Sequence, residues 1–251
     1  MTAVQTETNP TMLPADRLIV ALDVENAAAA RNAISELDGL VTTFKVGLQL
    51  FAAEGPRLVD EIVSSGKRVF LDLKFHDIPN TVAKAGIEAA RLGVWMFNVH
   101  AAGGSEMMRV TQEQVGEFCS AADSPRPLIT AVTVLTSTAA DSLAETGIAR
   151  DIHSHVGSLA TLAAKSGLDG VVASANEVEV IRRTVEDRRF VIVTPGIRPV
   201  NATIDDQKRV MSPGAAILAG SDHLVVGRPI LAAADRAAAA RKILDEIGEV
   251  V

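Results

Sequence analysis

The chain has 251 residues, 48% hydrophobic but only 3% aromatic, with no tyrosine and a formal charge of -7 from 24 Lys and Arg against 31 Asp and Glu. That length suits one large α/β barrel or two small domains, and the acidic balance, without a Lys/Arg cluster, argues against a nucleic-acid partner held through its phosphate backbone. A single cysteine, Cys119, excludes an intramolecular disulfide and a cysteine metal cluster. That cysteine usage fits a reducing cytoplasmic setting, and no apolar run reaches the roughly 20 residues that span a bilayer, so no membrane partner is expected.

Residues 1–15 are polar, lack a basic stretch ahead of an apolar one, and read as a flexible N-terminal tail rather than a signal peptide. A single domain over 16–251 follows, since no Pro/Ser linker divides it. In it, short Val/Ile/Leu runs alternate with Ala-rich amphipathic segments. Strands are expected over 18–24, 43–48, 68–75, 95–101, 128–135, 170–174, 190–194 and 223–227. Helices are expected over 27–37, 56–64, 81–92, 104–118, 155–165, 177–184, 213–219 and 231–247. Eight such pairs are what a (β/α)8 TIM barrel requires, although a doubly wound open sheet has the same alternation. The longest loop candidates, 137–151 and 198–206, both follow strands and would lie on the face where barrels assemble their chemistry.

The strand ends carry polar groups in chain order. Strand one ends at Asp23, which either turns the chain into a helix or holds a ligand. Strand two carries Lys45, a ligand group or an edge residue that extends its ammonium to water. Strand three reads Val69-Phe-Leu-Asp-Leu-Lys-Phe-His-Asp, with Asp72, Lys74 and Asp77 just before a helix start. Strand alternation puts Asp72 and Lys74 on one face and Leu71 and Leu73 on the other. Burying ionised groups costs several kcal/mol each unless they are paired, so the motif is either a structural ion pair or a catalytic group.

Strand four ends Asn98-Val99-His100, where His100 reads as a hydrogen-bonded core histidine. Strand five runs into Thr136 and Ser137, and strand seven into Pro195-Gly196-Ile197-Arg198. Strand eight closes with Gly227-Arg228-Pro229. Arg198 and Arg228 follow glycines at the ends of the last two strands, where barrels build phosphate sites. His153 and His155 lack a third partner at metal-ligand spacing, so no metal site is expected. The segment 232–241 is a good helix former with no chemistry in it.

The segment Phe70-Leu-Asp-Leu-Lys-Phe-His-Asp-Ile-Pro-Asn-Thr81 resembles the signature of the orotidine 5'-phosphate decarboxylases. Ala-Leu-Asp23, Phe-Lys45-Val-Gly, Ala131-Val-Thr-Val-Leu-Thr136-Ser, Thr194-Pro-Gly-Ile-Arg198 and Val225-Val-Gly-Arg228-Pro-Ile resemble it too, in the right order. The resemblance covers roughly 16–247. It implies a homodimeric (β/α)8 barrel that converts orotidine 5'-phosphate to UMP and CO2, a step of pyrimidine biosynthesis, without cofactor or metal. It further implies Lys74 as proton donor to C6, Asp72 beside the departing carboxylate, and Lys45 and Asp77 completing an alternating array. Asp77 and Thr81 would serve the partner's site. Asp23 and Thr81 would hold ribose hydroxyls, Thr136 with Ser137 beside it would face the pyrimidine, Arg198, Gln207, Gly227 and Arg228 would grip the phosphate under a lid over 198–207, and Lys45 and Pro195 would also contact the substrate. The alternative is a Mg2+-dependent sugar-phosphate decarboxylase or aldolase of the same barrel group.

Overall fold

A computed structural model of the chain describes residues 12–138, 140–199 and 211–251. Strand β1 (Leu18–Ala21) starts a closed barrel that continues through β2 (Thr43–Gly47), β3 (Arg68–Phe75), β4 (Met96–His100), β5 (Leu128–Val132), β6 (Gly170–Val172), β7 (Val191–Pro195) and β8 (His223–Val226). All eight neighbour pairs are parallel, and β8 closes on β1 through Leu18↔Leu224 to Val20↔Val226. The fold is a (β/α)8 barrel, and the open-sheet alternative is excluded by that closure.

Helices fill the connections: α1 (Pro14–Arg17), α2 (Ala27–Glu36), α3 (Leu48–Glu54), α4 (Pro56–Ser64), α5 (Pro79–Arg91), α6 (Gly104–Ala121), α7 (Ala140–Glu145), α8 (Ile152–Lys165), α9 (Val178–Thr184), α10 (Pro213–Leu218), α11 (Arg228–Leu231) and α12 (Arg236–Gly248). Their starts have local causes. Proline occupies the first turn of α1, α4, α5, α10 and α11, where its missing N–H costs nothing and its φ suits a helix. Side-chain oxygens of Asn26, Asp151, Ser212 and Asp235 accept from backbone N–H groups that the first turns of α2, α8, α10 and α12 leave unpaired.

Those elements correct two expectations and decide one alternative. Asp23 does not start α2, because Asn26 does. The segment 137–151 is not all loop, because it contains α7. The helix expected over 231–247 starts only at Arg236, as α12, because Asp235 takes the Ala238 N–H at 2.8 Å and caps its first turn. Helices α1 and α3 fall outside the expected set, and α1 starts two residues ahead of the boundary drawn at Asp16. The expected tail lies mainly outside the described residues.

Strand alternation divides the core in two. Ile19, Ala21, Phe70, Met96, Val132, Val172, Val193 and Val225 fill the barrel interior, while Val20, Phe44, Leu71, Phe97, Ile129, Ile192 and Leu224 face the helices. With so few aromatics, fit depends on small residues. A Cβ on Gly170 would collide with the Val191 carbonyl, so only glycine lets β6 and β7 approach. The N-terminal end of the barrel is closed by His223, 3% exposed, whose Nδ1–H donates to the Asp16 carbonyl across 3.0 Å. Trp95 stands edge-on to that ring at 5.1 Å, with the Arg68 guanidinium on Trp95 and ion-paired to Asp16 at 2.6 Å. The strand-end residues of the expected site all lie at the opposite, C-terminal end. Among the described residues no helix is long and apolar enough to cross a membrane.

Candidate active site

At the C-terminal end of the strands, inward positions that are apolar lower in the barrel become charged. Lys45 stands two residues after the inward Thr43, Asp72 two after Phe70, and Asn98 two after Met96. Lys45 Nζ lies 3.1 Å from Asp23 Oδ1 and 3.3 Å from Asp72 Oδ2, and Lys74 Nζ lies 2.7 Å from Asp72 Oδ1. Four side chains from the ends of three strands thus form one chain of alternating charge. Lys45 does not reach for water as an edge residue would, since it is only 8% exposed. Burial disfavours its ammonium, but Asp72 and Asp23 together outweigh burial and raise its pKa above the ordinary lysine value. Lys45 is therefore a fixed cation at any physiological pH.

Lys74 reaches the array by an irregularity that alternation does not foresee. Its φ is +54°, in the left-handed region that costs a non-glycine residue on the order of 1 kcal/mol or more. The β3–β4 register correspondingly shifts from Leu71↔Phe97 to Phe75↔Val99, four residues against two. The Lys74 N–H donates instead to Asn98 Oδ1 at 2.8 Å, and Asn98 Nδ2 donates to Asp72 Oδ1 at 2.7 Å. Asn98 is a site residue whose role the strand-end reading missed. Its signal was the inward register it shares with Met96.

Two connected hollows flank the array. One, of about 220 Å³, is mostly apolar, with Phe70, Val132, Val134, Leu135, Val172, Ala173 and Val225 alongside Lys45, Asp72, Lys74, Thr136, Ser137 and Pro195. The other, of about 210 Å³, shares Lys45, Asp72, Pro195 and Val225 and adds Asp23, Gly196, Arg198, Gly227 and Arg228. A flat apolar group fits the first and an anionic polar group the second. Arg198 Nε is buried without a hydrogen-bond partner among the described residues, and Gly196 takes φ +81° in the turn leading to it. An unpaired buried donor costs about 1–3 kcal/mol, which an anion's oxygen would recover.

Glycine makes room for the charges. A Cβ on Gly47 would lie 2.9 Å from Lys45 Nζ, and one on Gly227 would lie 3.3 Å from Asp23 Oδ2. His100 is half-buried at the end of β4, its ring 5.6 Å from that of His76. Burial, then His76 and Lys74, hold its pKa below the ordinary histidine value, so it is neutral at pH 7.

The remaining expected residues stand apart. Asp77 and Thr81 are exposed, line neither hollow, and Asp77 Oδ1 accepts from the Ile78 N–H at 2.6 Å. Gln207 and most of the expected lid lie outside the described residues. Among the described residues no group of three or more His, Cys, Asp or Glu side chains is arranged to hold a metal ion.

The profile of the Orotidine 5'-phosphate decarboxylase / HUMPS family matches residues 16–243. A protein of Syntrophotalea carbinolica named orotidine 5'-phosphate decarboxylase is 54% identical over 231 residues, 92% of this chain and 94% of that one. One of Moorella thermoacetica with the same name is 50% identical over 233 residues, 92% of each chain. The crystal structure of orotidine 5'-phosphate decarboxylase from Lactobacillus acidophilus superimposes with a TM-score of 0.80 at 37% identity, covering 92% of this chain and 98% of that one.

Proposed function

The chain belongs to the orotidine 5'-phosphate decarboxylase / HUMPS family, and from that membership we propose that it is a carboxy-lyase converting orotidine 5'-phosphate to UMP and CO2. We further propose that it does so in the cytoplasm, within de novo pyrimidine synthesis, as a homodimer whose catalytic unit runs from residue 16 onward. The observation that carries the reading is the Asp23–Lys45–Asp72–Lys74 array between an apolar hollow and a polar one bearing two arginines. The pyrimidine suits the first, and the ribose and phosphate suit the second, with Thr136 and Ser137 on the ring side, Asp23 on the ribose and Arg198, Gly227, Arg228 and Gln207 on the phosphate.

Loss of CO2 from C6 leaves negative charge on a ring carbon with no adjacent carbonyl to accept it as an enolate. A cation already oriented there stabilises that charge without reorganising, and an ammonium can then give C6 its proton. Lys74 suits both tasks, its ammonium aimed by Asp72. A substrate carboxylate about 4 Å from Asp72 would be repelled by roughly 4 kcal/mol at an effective dielectric of about 20. Relief of that repulsion is worth about a thousandfold, so the cation must supply the greater share of a hard decarboxylation. Phosphate contacts remote from C6 contribute binding energy that positions the ring.

The exposure of Asp77 and Thr81 supports their service in a neighbouring subunit's site. The test of the whole reading is incubation of the purified protein with orotidine 5'-phosphate in EDTA, followed by separation of UMP. Turnover undiminished by EDTA is expected, with Lys74→Ala lowering kcat by about 1,000-fold or more. An inactive native protein would overturn the reading, and activity restored only by Mg2+ would favour the sugar-phosphate enzymes of the same barrel group.

A further inference from the structure

Asn98 is fully buried in the barrel interior, and a buried amide there needs partners for both of its ends. It has them in two residues of β3 that belong to the array: Oδ1 accepts from the Lys74 backbone N–H at 2.8 Å, and Nδ2 donates to Asp72 Oδ1 at 2.7 Å. A backbone N–H can only donate and an ionised carboxylate can only accept, so one orientation of the amide satisfies both. The bond to Lys74 falls where β3 leaves register with β4 and takes φ +54°. The Asn98 side chain there supplies the acceptor that the shifted ladder does not. The bond to Asp72 falls on the same oxygen that holds the Lys74 ammonium at 2.7 Å, while the other carboxylate oxygen holds Lys45.

We infer that Asn98 is a positioning residue for the decarboxylation, one amide that fixes both the backbone turn carrying Lys74 and the carboxylate that aims its ammonium. The inference rests on the function proposed above. It is specific to asparagine. Leucine has the size but leaves the Lys74 N–H unpaired and takes one of two donors from Asp72 Oδ1. Aspartate keeps the acceptor but, ionised, sets a second carboxylate against Asp72.

That last difference supplies a test that a merely structural residue would not pass. Two adjacent carboxylates share a proton more readily than either alone, so the carboxyl group introduced by Asn98→Asp takes up a proton at raised pH. Once protonated, its O–H can donate to Asp72 and its C=O can accept from Lys74, which reproduces the amide. Steady-state kinetics with orotidine 5'-phosphate from pH 5 to 9 should show kcat of Asn98→Asp recovering toward the native value as pH falls. Asn98→Leu should lose about 100-fold in kcat at every pH, with KM little changed because the phosphate contacts are elsewhere. If Asn98→Leu does not fold by circular dichroism, the pH profile of Asn98→Asp decides alone. A profile parallel to that of the native protein would overturn the positioning role, as would native kcat in folded Asn98→Leu. Either result with an active native protein leaves the proposed function standing; an inactive native protein instead removes the function itself.

Discussion

At the scale of single residues, the site depends on a few atoms held against their ordinary preferences. Lys45 keeps its charge in the barrel because Asp23 and Asp72 flank it, although burial opposes that charge. Its position depends on an absence of atoms as well. The Gly47 φ of −97° is open to any residue, so glycine is required there for space alone. A methyl group would meet the ammonium at 2.9 Å, and that ammonium is pinned between two carboxylates and cannot step aside freely. Gly47→Ala should therefore leave thermal stability nearly unchanged while lowering kcat/KM by about 10- to 100-fold, the cost of a misplacement approaching 1 Å. Melting curves beside steady-state kinetics would check it; a loss of stability without loss of activity would mean the glycine serves packing. The charged residues were legible at their strand ends. The space beside Gly47 was not, because one glycine in a strand has many explanations.

At the scale of elements, the two ends of the barrel do different work. The strands' C-terminal ends hold charges in tension, and their N-terminal ends hold the chain closed through α1, β3 and β8. His223 begins β8 and ties it to α1 through the Asp16 carbonyl. Burial lowers its pKa from 6.5 to about 4, against smaller opposing effects of Asp222 and the Asp16 carbonyl. The unfolded chain protonates this histidine near pH 6.5 and the folded chain does so only near pH 4. The stability it contributes is thus complete above pH 6.5 and is lost as pH falls to about 4, roughly 3 kcal/mol at about 1.36 kcal/mol per pH unit. In His223→Asn, whose amide can still donate to the Asp16 carbonyl, urea midpoints should decline less steeply between pH 6.5 and 4 than in the native protein. Equal slopes would assign acid lability to other groups. The elements themselves were mostly legible, with β3 and α4 found to the residue. The late start of the helix expected over 231–247 has a local cause: Asp235 caps α12 inside an alanine run whose composition suggests an earlier beginning.

At the scale of the whole molecule, Asp77 and Thr81 lie on the surface and line neither of the two hollows beside the array. If a homodimer brings them to a neighbouring site, each site is built from two chains and the defects can be separated. Lys74→Ala and Asp77→Ala, each nearly inactive alone, should yield up to about a quarter of native activity when mixed under exchange. Half of the dimers would then be mixed, and one site in each would be intact. Activity no greater than the sum of the separate variants, with exchange verified by mass, would count against shared sites. The sequence by itself determined the alternating β/α pattern, the ends of the strands as the place for chemistry, and the family, because strand periodicity and a long ordered set of motifs are local properties of the chain, whereas the same pattern fits an open sheet and closure of β8 on β1 made it a barrel. Only the tertiary structure decided which of those groups meet. Asp72 and Lys74 join Lys45 and Asp23 because barrel closure turns inward positions of separate strands onto one axis. Lys74 reaches them through a left-handed turn that a buried amide 24 residues along the chain sustains.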